Sequence, residues 1–346
     1  MVEGPEQFTF DEPEPLKGFL GRNYLPPPEK VSHFKNRRIE ELYDVKRAHL
    51  IVNPFSGKKK GDDVGMFVSE ELSASKIIVK TYRTEGPEAA IPIVQDLTLE
   101  SGDIIVTVGG DGTFCEVITG FLSRSDSAND RFPLALIPAG TGNSQANDME
   151  IFSHMDAVQI ILKNRLRKMD IAKVTFNKGE EKGVRYSHNL VGWGLGVDSN
   201  ILAEKMRFLG PLRYDFGALM SIIRGKVRSA RCTIDGHLMD SNFVILLIQN
   251  TKTGGDRLTL APMAQADDGK MDLGVIYHLG RLKVLKMFNQ LKAAGSHVWN
   301  PNVEFYRFSN LKIETDDPTP INIDGENVGF TPVEIDVLPS AINIFH

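Results

Sequence analysis

The chain has almost no cysteine: two residues in 346, Cys115 and Cys232, in unrelated contexts. That excludes a disulfide framework and a CxxC metal pair, and it points to a reducing, cytoplasmic compartment. A basic surplus is also missing, because 45 acidic residues outweigh 40 Lys and Arg for a net charge of -5. A general nucleic-acid binder needs the opposite balance to neutralise phosphates. Long hydrophobic runs are absent; stretches such as "FVILLI" (243–248) fall far short of a membrane span. The N-terminus lacks the basic-then-apolar order of a secretory leader, so a soluble protein is expected. The generic signatures are missing too. "NPFSGKKKG" does not complete GxxxxGK[ST], neither "GGDGTF" nor "AGTGNS" completes GxGxxG, and no HExxH occurs.

The residues that are present divide the chain into three textures. Residues 1–45 are rich in proline and acid with little apolar periodicity, and are expected to be a disordered or loosely packed tail. From 46 to 170, continuous apolar strands alternate with helical stretches. The strands are "AHLIVNP" (48–54), "KIIVKTYRT" (76–84), "DIIVTV" (103–108) and "PLALIPAG" (133–140). That pattern predicts an α/β domain with a parallel sheet covered on both faces, which binds ligands beyond the carboxyl ends of its strands. From 171 to 346, many short strands separated by turn residues predict a β-sandwich-like domain. A helix-rich insertion at about 200–227 and an amphipathic helix at 280–295 interrupt it.

Three glycine-bearing loops follow predicted strands of the α/β domain: "NPFSGKKKG" (53–61), "GGDGTFCE" (109–116) and "PAGTGN" (138–143). Glycine lets backbone N–H groups turn towards an anion, and a helix N-terminus adds unpaired donors and partial positive charge. Together the loops predict a nucleotide site. A carboxylate there repels phosphate, so Asp111 makes chemical sense as a base or metal partner beside a transferred phosphoryl group.

From about residue 47 to the C-terminus, "GGDGTFCEV", "IPAGTGNSQA" and "NIDGE" resemble the diacylglycerol kinase catalytic-domain family of lipid kinases. The segment "GWGLGVDSNILAEKMRFLGPLRYDFGAL" (192–219) is most similar to its sphingosine kinase and ceramide kinase branch. The resemblance implies ATP-dependent phosphorylation of a lipid hydroxyl with Mg2+, in a cleft between the two domains. It implies nucleotide contacts by Asn53, Ser56, Gly57, Thr84, Gly109, Gly110, Gly112, Thr113, Glu116, Gly140, Thr141, Gly142 and Asn143. Asp111 matches the general base, and Glu326 a carboxylate near the ATP. Arg207 and Arg213 match phosphate-binding residues, although they straddle Gly210-Pro211, which breaks a helix. The implied acceptor is a sphingoid base or related sphingolipid. A diacylglycerol or acylglycerol kinase, an NAD kinase-like enzyme and a catalytically silent lipid-binding protein are the alternatives.

Two places depart from the family or read two ways. Sphingosine kinases carry an acid that pairs with the lipid amine where this chain has Asn200. In an extended segment Asp198 shares a face with Asn200 and can supply that charge. The acidic turn Asp267-Asp268-Gly269, with Asp272, matches a structural magnesium site of bacterial relatives; a hairpin turn is the plainer reading. Phe216, Leu219, Met220, Ile222 and Ile223 beside Arg224, Lys226 and Arg228 suit an interfacial helix or simple core packing. The expected partners are a lipid substrate, a membrane touched peripherally and a second copy of the chain, without nucleic acid.

Overall fold

The computed structural model describes residues 32–35, 41–125, 132–206, 210, 212–255, 258–292 and 295–346. The four apolar runs form β1 (Arg47–Val52), β2 (Ile78–Arg83), β3 (Asp103–Gly109) and β4 (Leu134–Pro138), all parallel, in the order β4-β3-β1-β2. β3 and β4 are buried at every position, as expected for strands covered on both faces, whereas the edge strand β2 is largely exposed. The connections carry α1 (Gly61–Ala74), α2 (Ala90–Gln95), α3 (Asp111–Leu122), α4 (Ser144–Asp148) and α5 (His154–Leu162). α3 is buried throughout Thr113–Phe121, because the second half of the chain covers the side that the sheet leaves open. The Tyr186 amide donates to Thr119 Oγ1 at 3.2 Å and the Cys115 thiol faces Tyr186 O at 3.5 Å. Its all-round apolarity is that of a buried helix.

The second half begins with β5 (Arg165–Lys178), β6 (Glu181–Ser187) and β7 (Leu190–Gly194). The pair α6 (Leu195–Lys205) and α7 (Leu212–Arg224) follows, with Gly210 between them at positive φ (57°) and Pro211 outside the described residues. Then come β8 (Arg228–Ile234), β9 (His237–Gln249), β10 (Met271–Tyr277), α8 (Arg281–Lys292), β11 (Val303–Phe308), β12 (Asn310–Glu314), β13 (Pro320–Ile323) and β14 (Glu326–Phe345). Two long strands serve both layers of a sandwich. β9 pairs first with β8, then with β7 and β10; β14 pairs with β13 at its start and with β12 and β5 beyond a bulge at Phe330/Val333. Trp193, Phe243 and Phe308 fill the space between the layers. The two-residue turns Asp235-Gly236 and Asp324-Gly325 have positive φ at both positions (45° and 85°, 47° and 97°), the twist that tight hairpins require.

The halves are not separable at residue 170. β5 runs across that point, and the end of β14 returns to lie parallel to β4, with Ile344 opposite Leu134. Ile342, Ile344 and Phe345 therefore sit in the core of the α/β half. The expected tail is also partly packed. His33 and Phe34 are buried, and Glu41–Leu42 pairs with the start of β5. An apolar ring entering the core outweighs the polar composition around it.

The acidic turn holds its cations within the chain. Arg307 Nε lies 3.3 Å from Asp272 Oδ1 and Arg307 Nη1 3.8 Å from Asp268 Oδ2, while Asp267 accepts the Lys35 amide. Among the described residues no group of three His, Cys, Asp or Glu that could hold a metal ion occurs. Nor is the turn a hairpin: it leads from a loop into β10. Burial, and then the like charge of Asp272, push the Asp268 carboxyl from 3.8 up to about 6. The folded state thus keeps a proton that the unfolded chain releases, and stability falls as pH rises through that window. In thermal melts Asp268→Asn should gain on the parent protein between about pH 4 and 6 and hold a constant advantage above. A pH-independent difference would show that the buried charge is not what Asp268 contributes.

Candidate active site

The loops after β1, β3 and β4 meet because those strands are adjacent and parallel. The Asn53 amide N–H reaches Val108 O at 3.0 Å, and its side-chain Nδ2 donates to Thr113 Oγ1 at 2.9 Å. Ala139 N donates to Gly109 O at 2.8 Å. A Cβ on Gly140 would stand 2.5 Å from Gly110 Cα, and one on Gly57 (φ +54°) 2.3 Å from Ala139 O. Only glycine permits either approach. Ser56 is buried beside Gly57 at the first loop. Asn143, left-handed at φ 54°, closes the third loop by accepting from Gly140 N and donating to Gly140 O, both at 2.9 Å. Thr141 and Gly142 complete that loop, with Gly142 facing Asp111.

Asp111 opens α3, and its carboxylate caps α4: Ser144 N donates to Oδ2 at 2.9 Å and Gln145 N to Oδ1 at 3.1 Å. Each oxygen retains a further lone pair. Glu326 arrives from the Asp324-Gly325 turn and lies over the first turn of α3, its Oε1 3.3 Å from where a Gly112 Cβ would be. Burial raises the Glu326 carboxyl above its ordinary range, and the Glu116 carboxylate raises it further.

Other predicted residues take different partners. Glu116 is turned to the segment after Thr84, accepting the amides of Glu88 at 2.9 Å and Ala90 at 3.0 Å. Burial raises its carboxyl. Thr84 is buried at the end of β2, its N–H on Val52 O. The segment bearing Asp198 and Asn200 is helical, not extended, so two residues apart they diverge around α6. Asp198 forms a bidentate pair with Arg228 at 3.0 and 2.8 Å, and the Asn200 amide donates to Gly325 O at 3.1 Å. Arg213 lies on α7 with its guanidinium 3.7 Å from Glu204 of α6. Arg207 lies outside the described residues.

Four residues that sequence reasoning missed complete the site. Asp324 is fully buried and accepts from Ser187 Oγ and from the amides of His188, Asn189 and Leu190, at 2.8 to 3.1 Å. His188 places Nε2 3.1 Å from Asp111 O and Nδ1 3.2 Å from Gln145 Oε1. Arg185 is buried against Glu88, with Nη1 unpartnered among the described residues. The only sequence signal for them was proximity to quoted motifs: Gln145 follows "AGTGNS" and Asp324 precedes Glu326.

Residues 47–174 match the family described as "Diacylglycerol kinase catalytic domain", and residues 189–346 the family described as "YegS C-terminal NAD kinase beta sandwich-like domain". Sphingosine kinase 2 of Arabidopsis thaliana is 28% identical over 330 residues, covering 80% of this chain and 66% of its own length. The chain thus spans just under two thirds of that plant relative. A diacylglycerol kinase of Staphylococcus carnosus is 25% identical over 303 residues, covering 87% of this chain and 95% of its own. The crystal structure of a diacylglycerol kinase from Bacillus anthracis has the same fold, with a TM-score of 0.70 at 22% identity over 87% of this chain and 97% of that one. With both halves of the chain matched and the loops joined as above, the protein is similar over most of its length to the diacylglycerol kinase catalytic-domain family, whose matched relatives include sphingosine kinases and diacylglycerol kinases.

Proposed function

We propose that this protein is an ATP-dependent lipid kinase that transfers the γ-phosphoryl group to a lipid hydroxyl. The observation that carries the reading is the meeting of three glycine loops on one sheet edge around the Asp111 carboxylate. Asn53, Ser56, Gly57, Thr84, Gly109, Gly110, Gly112, Thr113 and Gly140 to Asn143 form the nucleotide cradle. Arg185 suits a phosphate, since its buried Nη1 has no hydrogen-bond partner among the described residues. Arg207 and Arg213 are proposed to add charge from the helical insertion. Mg2+ carried on the phosphates needs one or two protein oxygens, and Glu326 is the carboxylate offered for it; when bound, the ion neutralises developing charge. Asp111 accepts the proton of the attacking hydroxyl with the lone pairs that α4 leaves free. Glu116 supports the nucleotide side indirectly, by fixing the turn after Thr84.

The acceptor is a long-chain sphingolipid or acylglycerol alcohol. Asp198 is neutralised by Arg228 and Asn200 is held by Gly325, so neither offers an anionic oxygen to a sphingoid ammonium. A pocket of about 250 Å3 lies beneath the insertion, lined by Leu195, Ile222, Val244, Leu279 and Val284, and is suited to an acyl chain. Contact with the bilayer falls to α7. Leu212, Phe216, Leu219 and Ile223 are exposed at i, i+4, i+7 and i+11, one stripe of the helix, while Ala218 and Ile222 face inward. Exposed Arg224, Lys226, Arg281, Lys283 and Lys286 flank it and suit anionic headgroups.

Incubation with labelled ATP and a panel of sphingosine, ceramide and diacylglycerol is the direct test. Label should enter the organic phase, and a neutral lipid should be phosphorylated at least as well as sphingosine. Label confined to the aqueous phase would refute the lipid reading. Asp111→Asn should lower kcat by about 10²–10⁴-fold. It should cost roughly 1 kcal/mol of stability by urea titration, because one of the α4 caps is weakened; unchanged turnover would remove Asp111 from the mechanism. Phe216→Ser with Ile223→Ser should abolish flotation with anionic vesicles while leaving the melting temperature nearly unchanged. Retained flotation would place the membrane contact elsewhere.

A further inference from the structure

The segment Ser32–Lys35 precedes both family matches, yet it is built into the joint of the molecule. Ala266 N donates to His33 O at 2.9 Å, the Lys35 amide donates to Asp267, and Gln265 Nε2 reaches Ser32 O at 3.5 Å. Phe34 sits edge-on to His346 at 4.9 Å, with Arg167 over its ring at 5.3 Å. The segment thus touches the loop before β10, the start of β5 and the C-terminus at once. His33 points inward, and its Nε2 stands 3.4 Å from the side-chain Nε2 of Gln145.

Gln145 is where these contacts gain meaning. It is fully buried, its backbone N–H orients Asp111 Oδ1, and its side-chain oxygen faces His188. His188 in turn reaches the carbonyl oxygen of Asp111. Both the carboxylate and the main chain of Asp111 are therefore held through one residue, the first by the Gln145 backbone amide and the second by its side chain through His188, and His33 grips that side chain from the far side. Met169 Sδ, at 3.7 Å, is the other partner of that amide nitrogen, and thioether sulfur is a weak acceptor. Burial lowers the His33 pKa to about 3, so the ring meets Gln145 as a neutral acceptor.

We propose that His33 is a positioning residue: the packed segment Ser32–Lys35 locks Gln145 and thereby sets the orientation of Asp111. Its effect on turnover rests on the reading of Asp111 as the base; its effect on Gln145 does not. The experiment is hydrogen exchange by mass spectrometry on the full chain, comparing the parent protein with His33→Phe, which keeps ring volume but no acceptor, and His33→Gln, whose amide reaches the same place. Amides of residues 143–149 should exchange roughly three- to tenfold faster in H33F, the loss of one hydrogen bond, and at the parental rate in H33Q. Should H33F not fold, His33→Asn is too short to reach Gln145 and is expected to show the same acceleration. In the kinase assay H33F should lower kcat with KM for ATP unchanged, and H33Q should restore it. Parental exchange in H33F or H33N, or equal acceleration in H33Q, would overturn the proposal. A parent protein without lipid turnover would defeat the functional reading while the exchange result still decides the role of His33.

Discussion

Asp111 stands in the first turn of α3 and gives both of its oxygens to the amides that open α4. Two helix N-termini, each carrying unpaired N–H groups and partial positive charge, are thereby directed at one anion. The arrangement depends on the close approach of the second and third loops at Gly110 and Gly140, where a Cβ on Gly140 would stand 2.5 Å from Gly110 Cα. Glycine loops proposed to face phosphate and a carboxylate, which conflict electrostatically if each is considered alone, become compatible when neighbouring amides already satisfy the carboxylate.

The second half of the chain is fastened to that point through buried polar groups. Asp324 gathers donors from four consecutive residues, Ser187 to Leu190. His188, in the middle of that run, spans from Asp324 to the Asp111 carbonyl. The turn that presents Glu326 and the loop that presents Asp111 are therefore parts of one network. Buried networks of this kind are stiff when every member is satisfied and costly when one is lost. Asn200 adds a link from the helical insertion to the same turn through Gly325. Movement of the insertion would thus be felt at Glu326.

Much of the proposed nucleotide side was legible from sequence. The inner strands of the α/β half are largely apolar runs, and the glycine loops follow β1, β3 and β4 directly; both signals are local. Glu116 was legible as an acid near the loops, but its partners are the amides of Glu88 and Ala90 across a turn. Asp198 was read as a charge for the lipid, whereas it pairs with Arg228 from a strand thirty residues on. The acids at 267, 268 and 272 read as a hairpin turn or as metal ligands, and the structure pairs Asp268 and Asp272 with Arg307. The packed Ser32–Lys35 segment, with His33 and Phe34 buried, gave no signal, because a single aromatic ring in a polar stretch has no periodicity to detect.

By itself, then, the sequence determined the parallel α/β half, the strand-rich second half, the break between α6 and α7 and the three loops, since hydrophobic period and turn chemistry act within a few residues. Only the tertiary structure decided which partner each charged side chain would take, where the end of β14 would return, and that Gln145 would stand between His33 and His188. Those outcomes join residues far apart in the chain, 179 positions in Arg167 with His346 and 232 in Lys35 with Asp267. A buried charge or amide is satisfied by whichever donor the folded chain brings within about 3 Å, and sequence neighbours carry no record of that choice.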